Sequence, residues 1–566
     1  MSAPAFDLNR RTMSVSVIAA MILLMVSFLL LGPGGRDDVY KTLWPAEALA
    51  NTGHLINYNG DAVEQSSSLL HVLLLAALRV FIGGPIADLN WAMVLGFGVA
   101  GIFLAMQVAK RMGLTPSMSL AVALGGQGIY AYWAMGGLDA VLAANCWLLF
   151  AWKLGDWLEG RSWQLLGLAT AFLVMVRPEN GMVAFSAMGL AYLLQMIRLP
   201  KSLSKPWRKR LLLGMGIVAM MAGLLVLWRF WHGGHWLPQS ARAKMGGLGW
   251  VRSRRGLRYL WVESTMHWEL FVYWGTLAVL ALRHLRQRLD TLTLIIFCIA
   301  TTGLSFVVMS GGDWMENARF IVPYLPFLIL GLFSTFERIA VKGKELARMS
   351  FAFLCICSLV NVANNHNTGY PSILAPSIGR YRIGTNTAYS EAHNRIHLRD
   401  LYPCEFLIHE HDRIYAMKGK KVEILSQQAG YMAFYLARQR FGQFHFVDLV
   451  GLSTPDFTDC DVTRDRGRFP GGLNMDLMYL LGDFDQISSK CAIAKPDIIF
   501  GLDEDDGRIL QFLNAHGYAT VYSQTGIMRH GFFQDAGMEI SGNEFIVVMS
   551  RWKGNEPPIQ IKLQDI

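Results

Sequence analysis

The feature that most constrains this chain is a series of apolar blocks, each about 15 to 20 residues long, the length a helix needs to cross a bilayer. Residues 13–31, 91–109, 211–231, 291–309 and 320–336 are examples. In hydrocarbon every backbone amide must be satisfied within the protein, so blocks of this kind are helices rather than isolated strands. Composition agrees: 53% of the 566 residues are hydrophobic and 16% are charged, whereas a soluble domain carries about a quarter charged residues. Block 13–31 follows Arg10-Arg11 as a signal peptide would. The stretch 31–36 offers no small-x-small cleavage site, however, so a retained signal-anchor is the reading.

The formal charge of +9 could suggest a nucleic-acid partner. The basic residues, however, fall in the short segments 110–111, 153–161, 198–210, 283–288 and 338–348, between apolar blocks. That is the pattern of a cytoplasmic face and argues against nucleic acid. Putting these segments inside leaves 32–68, 136–139, 177–180, 232–267 and 311–319 outside, and nearly every polar segment with chemical potential is among them. An inside N-terminus and an outside C-terminus require an odd number of crossings, about eleven from about twelve apolar candidates. Segment 69–82, the shortest, is then interfacial or re-entrant. The alternative places segment 110–111 outside.

Residues 1–362 thus read as a membrane domain with a first outer loop at 32–68. Residues 363–566 have no spanning block. Their β-prone runs, such as 444–449 and 545–549, alternate with helical runs such as 431–439, so a soluble α/β domain on the outer face is expected. The whole is a polytopic α-helical membrane protein with a C-terminal periplasmic α/β domain, placed in a bacterial inner membrane. Cys404, Cys460 and Cys491 lie in the soluble part, where an oxidising compartment allows one disulfide and leaves one thiol. Cys146, Cys298, Cys355 and Cys357 sit in apolar blocks as packing residues. No CxxC or His-rich spacing of a zinc site occurs.

The first outer loop opens Arg36-Asp37-Asp38-Val39-Tyr40 and continues to Asn59-Gly60, then Val63-Glu64-Gln65-Ser66. Two adjacent carboxylates at a membrane exit repel each other and lose hydration, so a bound cation or a proton is their usual companion. The bland reading is a solvated turn beside Arg36. A second feature is Gly311-Gly312-Asp313-Trp314-Met315-Glu316-Asn317-Ala318-Arg319. Its glycines permit close backbone approach and its arginine offers an anion fork. The bland reading is a polar turn with an arginine reaching for headgroups. Arg177-Pro178-Glu179 reads equally as a salt-bridged turn, the segment from His235 to Lys244 as an interfacial stretch, and a lone His54 as structural.

Taken in order, these segments resemble the GT-C superfamily of polyprenyl-phosphate-sugar glycosyltransferases. The resemblance runs through Asp37-Asp38-Val39-Tyr40, Val63-Glu64, Arg177-Pro178-Glu179, Trp236-Leu237-Pro238 with Lys244, and Gly311-Gly312-Asp313-Trp314-Met315 with Arg319. It covers about residues 30 to 330, and the subgroup it looks most like is the mycobacterial terminal β-(1→2)-arabinofuranosyltransferases. The sequence departs from that pattern at Trp44, where arginine is usual and which Pro45 follows, and in Val63-Glu64-Gln65-Ser66-Ser67-Ser68-Leu69-Leu70, where Val-Glu-Gly-x-Thr-Ser-Pro-Leu is usual.

The resemblance implies a GT-C-type bundle and transfer of a sugar, D-arabinofuranose by subgroup, from a polyprenyl monophosphate to an acceptor hydroxyl at the periplasmic face. The acceptor would be a glycan, a lipid or a surface protein, and membrane lipids surround the bundle. Because phosphate is already a good leaving group, the reaction asks for one base and for cations on the departing phosphate. Asp38, or its neighbour Asp37, is the expected base in an inverting displacement. Arg319, Arg177 and Lys244 are the expected phosphate clamp. Asp313, Glu64, Tyr40, His54 and Glu179 would position the sugar or order the loop. Paired carboxylates suit a hard divalent cation such as Mg, Mn or Ca, held by Asp37 or Asp38, although a monophosphate donor does not require one. A transporter or flippase of a lipid-linked saccharide would instead place ionisable groups at mid-membrane and show internal repeats. An O-antigen-type polymerase or ligase would lean on the 232–267 loop.

Overall fold

The computed structural model describes residues 4–31, 37–115, 117–161, 163–198, 205–244, 249–287, 289–313, 317–338, 341–368, 402–426, 429–458, 460, 477–500, 508–525 and 544–551. The described residues before 368 are mostly helical and contain no strand. Among the described residues, four helices are long and apolar enough to cross a membrane: Ile86–Arg111, Pro206–Gly233, Thr291–Ser310 and Gly343–Val362. Four shorter apolar helices accompany them: Val15–Ser27, Leu69–Ile82, Trp163–Val176 and Val322–Phe336. Large side chains such as Leu29, Phe81, Leu227 and Phe353 point outward from these helices, as a lipid-facing surface demands. The protein is a multi-pass membrane protein.

Charge bias alone assigned the loops to two sides, and the contacts reproduce that division. At one end Arg111 donates to Asp156 and Glu159, Arg161 to Asp156, and Arg210 to the Leu158 carbonyl. There also His284 meets the Leu194 carbonyl, Arg283 the Ser334 carbonyl, and Arg338 the Gln287 amide oxygen. The basic segments therefore share one end, and segment 110–111 is among them. At the other end, Trp133 Nε1 donates to the Asn317 carbonyl, Asn90 Nδ2 to the Gly137 carbonyl, and the Gln239 amide to the Glu64 carbonyl.

Helix Leu69–Ile82 spans about 21 Å, short of the roughly 30 Å of hydrocarbon. Near its start His71 Nε2 lies 2.7 Å from Asn90 Oδ1. In its last turn Arg79 acts on Glu47, whose carboxylate pairs with Arg438 of the C-terminal domain. Both ends of this helix thus sit at the same end of the bundle. It lies along that surface with Leu73, Leu74, Val80, Phe81 and Ile82 exposed, as an interfacial helix does.

The first outer loop opens with a helix. Asp37–Thr52 is a helix with Pro45 inside it. Two carboxylates in the first turn complement the partial positive charge of a helix N-terminus, and Ala46-Glu47-Ala48-Leu49-Ala50 are strong helix formers. Proline lacks the amide that would bond the carbonyl four residues back, here that of Lys41. Gln65 Nε2 donates to that Lys41 carbonyl at 3.1 Å, while Gln65 Oε1 accepts from the Tyr58 amide. Pro45 and Gln65 thus complete each other.

The C-terminal part holds a five-stranded sheet: β1 (Val422–Ser426), β2 (Phe444–Asp448), β3 (Ile498–Phe500), β4 (Tyr518–Thr525) and β5 (Glu544–Arg551), in the order β2-β1-β3-β5-β4. β1 runs parallel to β2 and β3, with helix Tyr431–Arg440 as the crossover between β1 and β2. β5 is antiparallel to both of its neighbours. The runs expected at 431–439, 444–449 and 545–549 form these elements. Cys460 and Cys491 form a disulfide. Cys146, Cys298 and Cys355 are buried, while Cys357 is exposed on its helix. Cys404 falls on a side chain outside the described residues.

The domain is seated on the first loop. The Asn59 side chain donates to the Phe446 carbonyl at 2.9 Å and accepts from the Phe446 amide at 2.7 Å, supplying edge strand β2 with the partner it lacks. Tyr58 reaches the Ala429 carbonyl, and Trp44 packs against Tyr58 and Phe441 while donating to the Asn57 carbonyl. Trp44 is thus part of this seat. Gln239 Nε2 holds the far side through the Gly451 and Thr454 carbonyls.

Candidate active site

The end that carries the domain also gathers the charged side chains. Helix Asp37–Thr52 begins with the carboxylate pair. Asp38 Oδ1 accepts from Lys41 Nζ at 2.6 Å, one helical turn on, and both side chains are largely buried. The Asp37 side chain lies outside the described residues, as do Arg36 and the Lys244 side chain. Val39 packs toward Gly137, where a Cβ would meet Val39 Cγ2 at 3.0 Å and Trp91 at 2.8 Å. Contact with the 136–139 loop brings the Asp38 helix alongside the next group.

That group contains two bidentate ion pairs. Arg177 donates from Nε and Nη2 to the Asp139 carboxylate, both at 2.9 Å, and its Nη1 is 3.5 Å from Glu179. Arg319 donates from Nε to Asp313 Oδ2 at 2.6 Å and from Nη2 to Oδ1 at 3.0 Å. The guanidiniums lie 5.3 Å (Arg177) and 5.1 Å (Arg319) from the centre of the Phe320 ring, within cation–π range. Arg319 also faces Trp133. Burial raises the Asp139 carboxyl, but Arg177, then Arg319 and His71, outweigh it and hold it below its ordinary value. The two pairs form one electrostatic unit.

The 311–319 turn shows why glycine and unusual backbone are needed there. Gly311 is left-handed and caps helix Thr291–Ser310. At Gly312, with φ of 76°, a Cβ would fall 2.5 Å from the Tyr259 side chain. Asn317 and Ala318 also have positive φ, directly before Arg319. Such backbone persists only where its surroundings enforce it, and the bond from Trp133 to the Asn317 carbonyl is one such restraint. Trp314, Met315 and Glu316 lie outside the described residues.

The remaining expected residues fall elsewhere. Glu64 is buried and accepts from Arg229 Nε at 2.5 Å and Nη2 at 3.0 Å. Tyr40 packs against Tyr431 and Phe434 of the C-terminal domain. His54 is exposed on the loop, its amide donating to Thr52 Oγ1. Residues not singled out in advance are Lys41, His71, Asn90, Asp139 and Arg229. Arg229 carried a signal, because an arginine inside apolar block 211–231 implies a partner. Asp139 was visible as an outer carboxylate, but nothing in its spacing linked it to Arg177.

Asp448 joins this end from the C-terminal domain. It closes β2, and its carboxylate accepts from the amides of Val450, Leu452 and Ser453. Burial raises its carboxyl above the ordinary value, with Lys41 and the Val450 and Ser453 amides acting against the rise. Among the described residues, no group of three or more His, Cys, Asp or Glu side chains could hold a metal ion.

The chain superposes on ArnT from Cupriavidus metallidurans in the apo state with a TM-score of 0.52 at 11% identity, covering 95% of this chain and 99% of that one. ArnT bound to undecaprenyl phosphate gives 0.50 at 12% identity, over 96% and 99% of the two chains. The fold is of the GT-C type. Archaeal oligosaccharyltransferase AglB from Archaeoglobus fulgidus is a looser match, with a TM-score of 0.47 at 11% identity over 87% of this chain and 69% of that one, and supports no argument. No protein-family model matches the sequence, and no curated protein matches it.

Proposed function

We propose that the protein is a glycosyltransferase that moves a sugar from a polyprenyl monophosphate to an acceptor hydroxyl at the outer, periplasmic face of a bacterial inner membrane. The observation that carries this reading is the pair of guanidiniums, Arg177 and Arg319, sharing the Phe320 ring at the end of the fold where Asp38 begins its helix. A similar fold in ArnT accommodates undecaprenyl phosphate.

Asp38 takes the proton of the acceptor hydroxyl as its oxygen bonds to the anomeric carbon. The bond from that carbon to the phosphate oxygen breaks, and the configuration inverts. Charge growing on the departing phosphate is met by Arg319 and Arg177, with Lys244 the third cation expected from the sequence. Their carboxylate partners, Asp313 and Asp139, hold the guanidinium planes in orientation before the donor arrives. Lys41 holds Asp38 Oδ1 in place. The subgroup resemblance favours D-arabinofuranose as the sugar.

The test is transfer from a panel of synthetic polyprenyl-phosphate sugars, comparing the parent with Asp37→Asn, Asp38→Asn and Arg319→Ala. Asp38→Asn should lose about 10² to 10⁴-fold in turnover while still binding undecaprenyl phosphate. Full turnover in both aspartate variants would sink the mechanism.

A further inference from the structure

The end opposite the candidate active site holds a second place suited to an anion. Segment 198–210 contains Arg198, Lys201, Lys205, Arg208, Lys209 and Arg210, and no Asp or Glu. Its neighbours at this end carry their own carboxylates. Asp156 and Glu159 take Arg111 and Arg161, while Glu337 and Glu345 take Lys344 and Arg348. Arg210 is committed to the Leu158 carbonyl. Arg208 has the Met196 sulfur at 3.6 Å and no carboxylate partner among the described residues.

Arg208 and Lys209 line a groove of about 480 Å³, together with Tyr192, Leu212 and Leu213. The groove lies between helix Glu179–Arg198 and the start of helix Lys205–Gly233. Both leucines are about half exposed, at 53% and 50%, on the surface that meets lipid. Trp163, also exposed, opens helix Trp163–Val176, and Trp207 lies in the first turn of helix Lys205–Gly233, helix ends where tryptophan anchors at a membrane–water boundary. The groove thus has a cationic, hydrogen-bonding rim and an apolar wall one turn deeper.

We propose that this groove binds an anionic phospholipid, its headgroup phosphate on Arg208 and Lys209 beside Tyr192 and its acyl chain along Leu212 and Leu213. Inorganic phosphate would satisfy the cations but leave the leucine wall uncovered. A zwitterionic lipid would cover the wall but bring its own cation to a rim that already has two. The site is separate from the transfer reaction and stands whether or not that reading holds.

The experiment uses the full chain in nanodiscs containing equal parts phosphatidylglycerol and phosphatidylcholine, released into native mass spectrometry. Retained phosphatidylglycerol should exceed phosphatidylcholine by about thirtyfold, the scale expected for two interfacial cations. Arg208→Gln with Lys209→Gln should bring the ratio close to that of the bulk bilayer. Arg161→Gln, at the same end but with its charge taken by Asp156, should keep the enrichment. The charge-preserving exchange Arg208→Lys with Lys209→Arg should also keep it, which separates loss of charge from loss of fold. Undiminished enrichment in the double glutamine variant would overturn the proposal. So would release of the bound lipid by millimolar inorganic phosphate, because the cations alone would then make the site.

Discussion

Replacing Asp313 by Asn isolates what Arg319 is for. The substitution keeps the side-chain size but removes the charge that meets the guanidinium at 2.6 and 3.0 Å, in a pair whose side chains are 6% and 3% exposed. Breaking one half of a buried pair costs about 3–5 kcal/mol, mostly because the remaining charge is stranded. The faces of Phe320 and Trp133 stay beside Arg319 in both proteins and so cancel in the difference, and a loss of about 3–5 kcal/mol is expected. Arg319→Met in the same background removes the stranded charge and should restore most of the stability. Thermal unfolding in detergent, followed by tryptophan fluorescence, ranks the three proteins. Adding undecaprenyl phosphate then asks whether a phosphate can take the place of Asp313. Two guanidiniums here face three carboxylates, Asp139, Glu179 and Asp313, so an incoming phosphate must compete for its donors. The ligand should therefore stabilise Asp313→Asn more than the parent, and the double variant least. Equal stabilisation of all three would remove Arg319 from the phosphate clamp.

Other perturbations probe the frame around the site. Asn59→Ala deprives β2 of its side-chain partner and leaves the Phe446 amide and carbonyl unpaired. It should cost about 1–3 kcal/mol and appear as faster limited proteolysis of the C-terminal domain while the membrane helices stay intact. Gln65→Leu strands the Lys41 carbonyl that Pro45 has already deprived of its helical partner. Pro45→Ala in the same chain should rescue it, which melting temperatures of the two variants would show. His445 is pushed up to about 10 by its bonds to Asp456 and then Glu423. Its folded value exceeds the unfolded one, so its stabilisation is complete below about pH 6.5 and is lost as pH rises through about 10. Melting temperature measured across pH 6 to 10 should fall less steeply in His445→Gln than in the parent.

The parts of this molecule legible in the sequence are those decided by solvent and by local chemistry. Apolar blocks mark helices because lipid leaves no alternative. The lysines and arginines of 110–111, 153–161, 198–210, 283–288 and 338–348 mark one end because charge resists crossing, and their mutual contacts bear this out. Alternation and turn residues were enough to find helix 431–440 and strand β2. What stayed hidden depends on partners distant in sequence. Asp139 and Arg177 are separated by 38 positions, and Glu64 and Arg229 by 165, so neither spacing nor propensity couples them. The first loop shows the limit most clearly. Its carboxylates, Pro45 and Gln65 each look like an exception when read alone. Folded, the acidic turn starts a helix, the proline opens a carbonyl in it, and the glutamine closes that carbonyl from 24 residues away. Asp38 therefore sits on a braced helix pressed between the bundle and the C-terminal domain. Its position depends on Asn59, Tyr58 and Trp44 holding that domain in place, so a variant that unseats the domain should lower turnover with the Asp38 carboxylate intact.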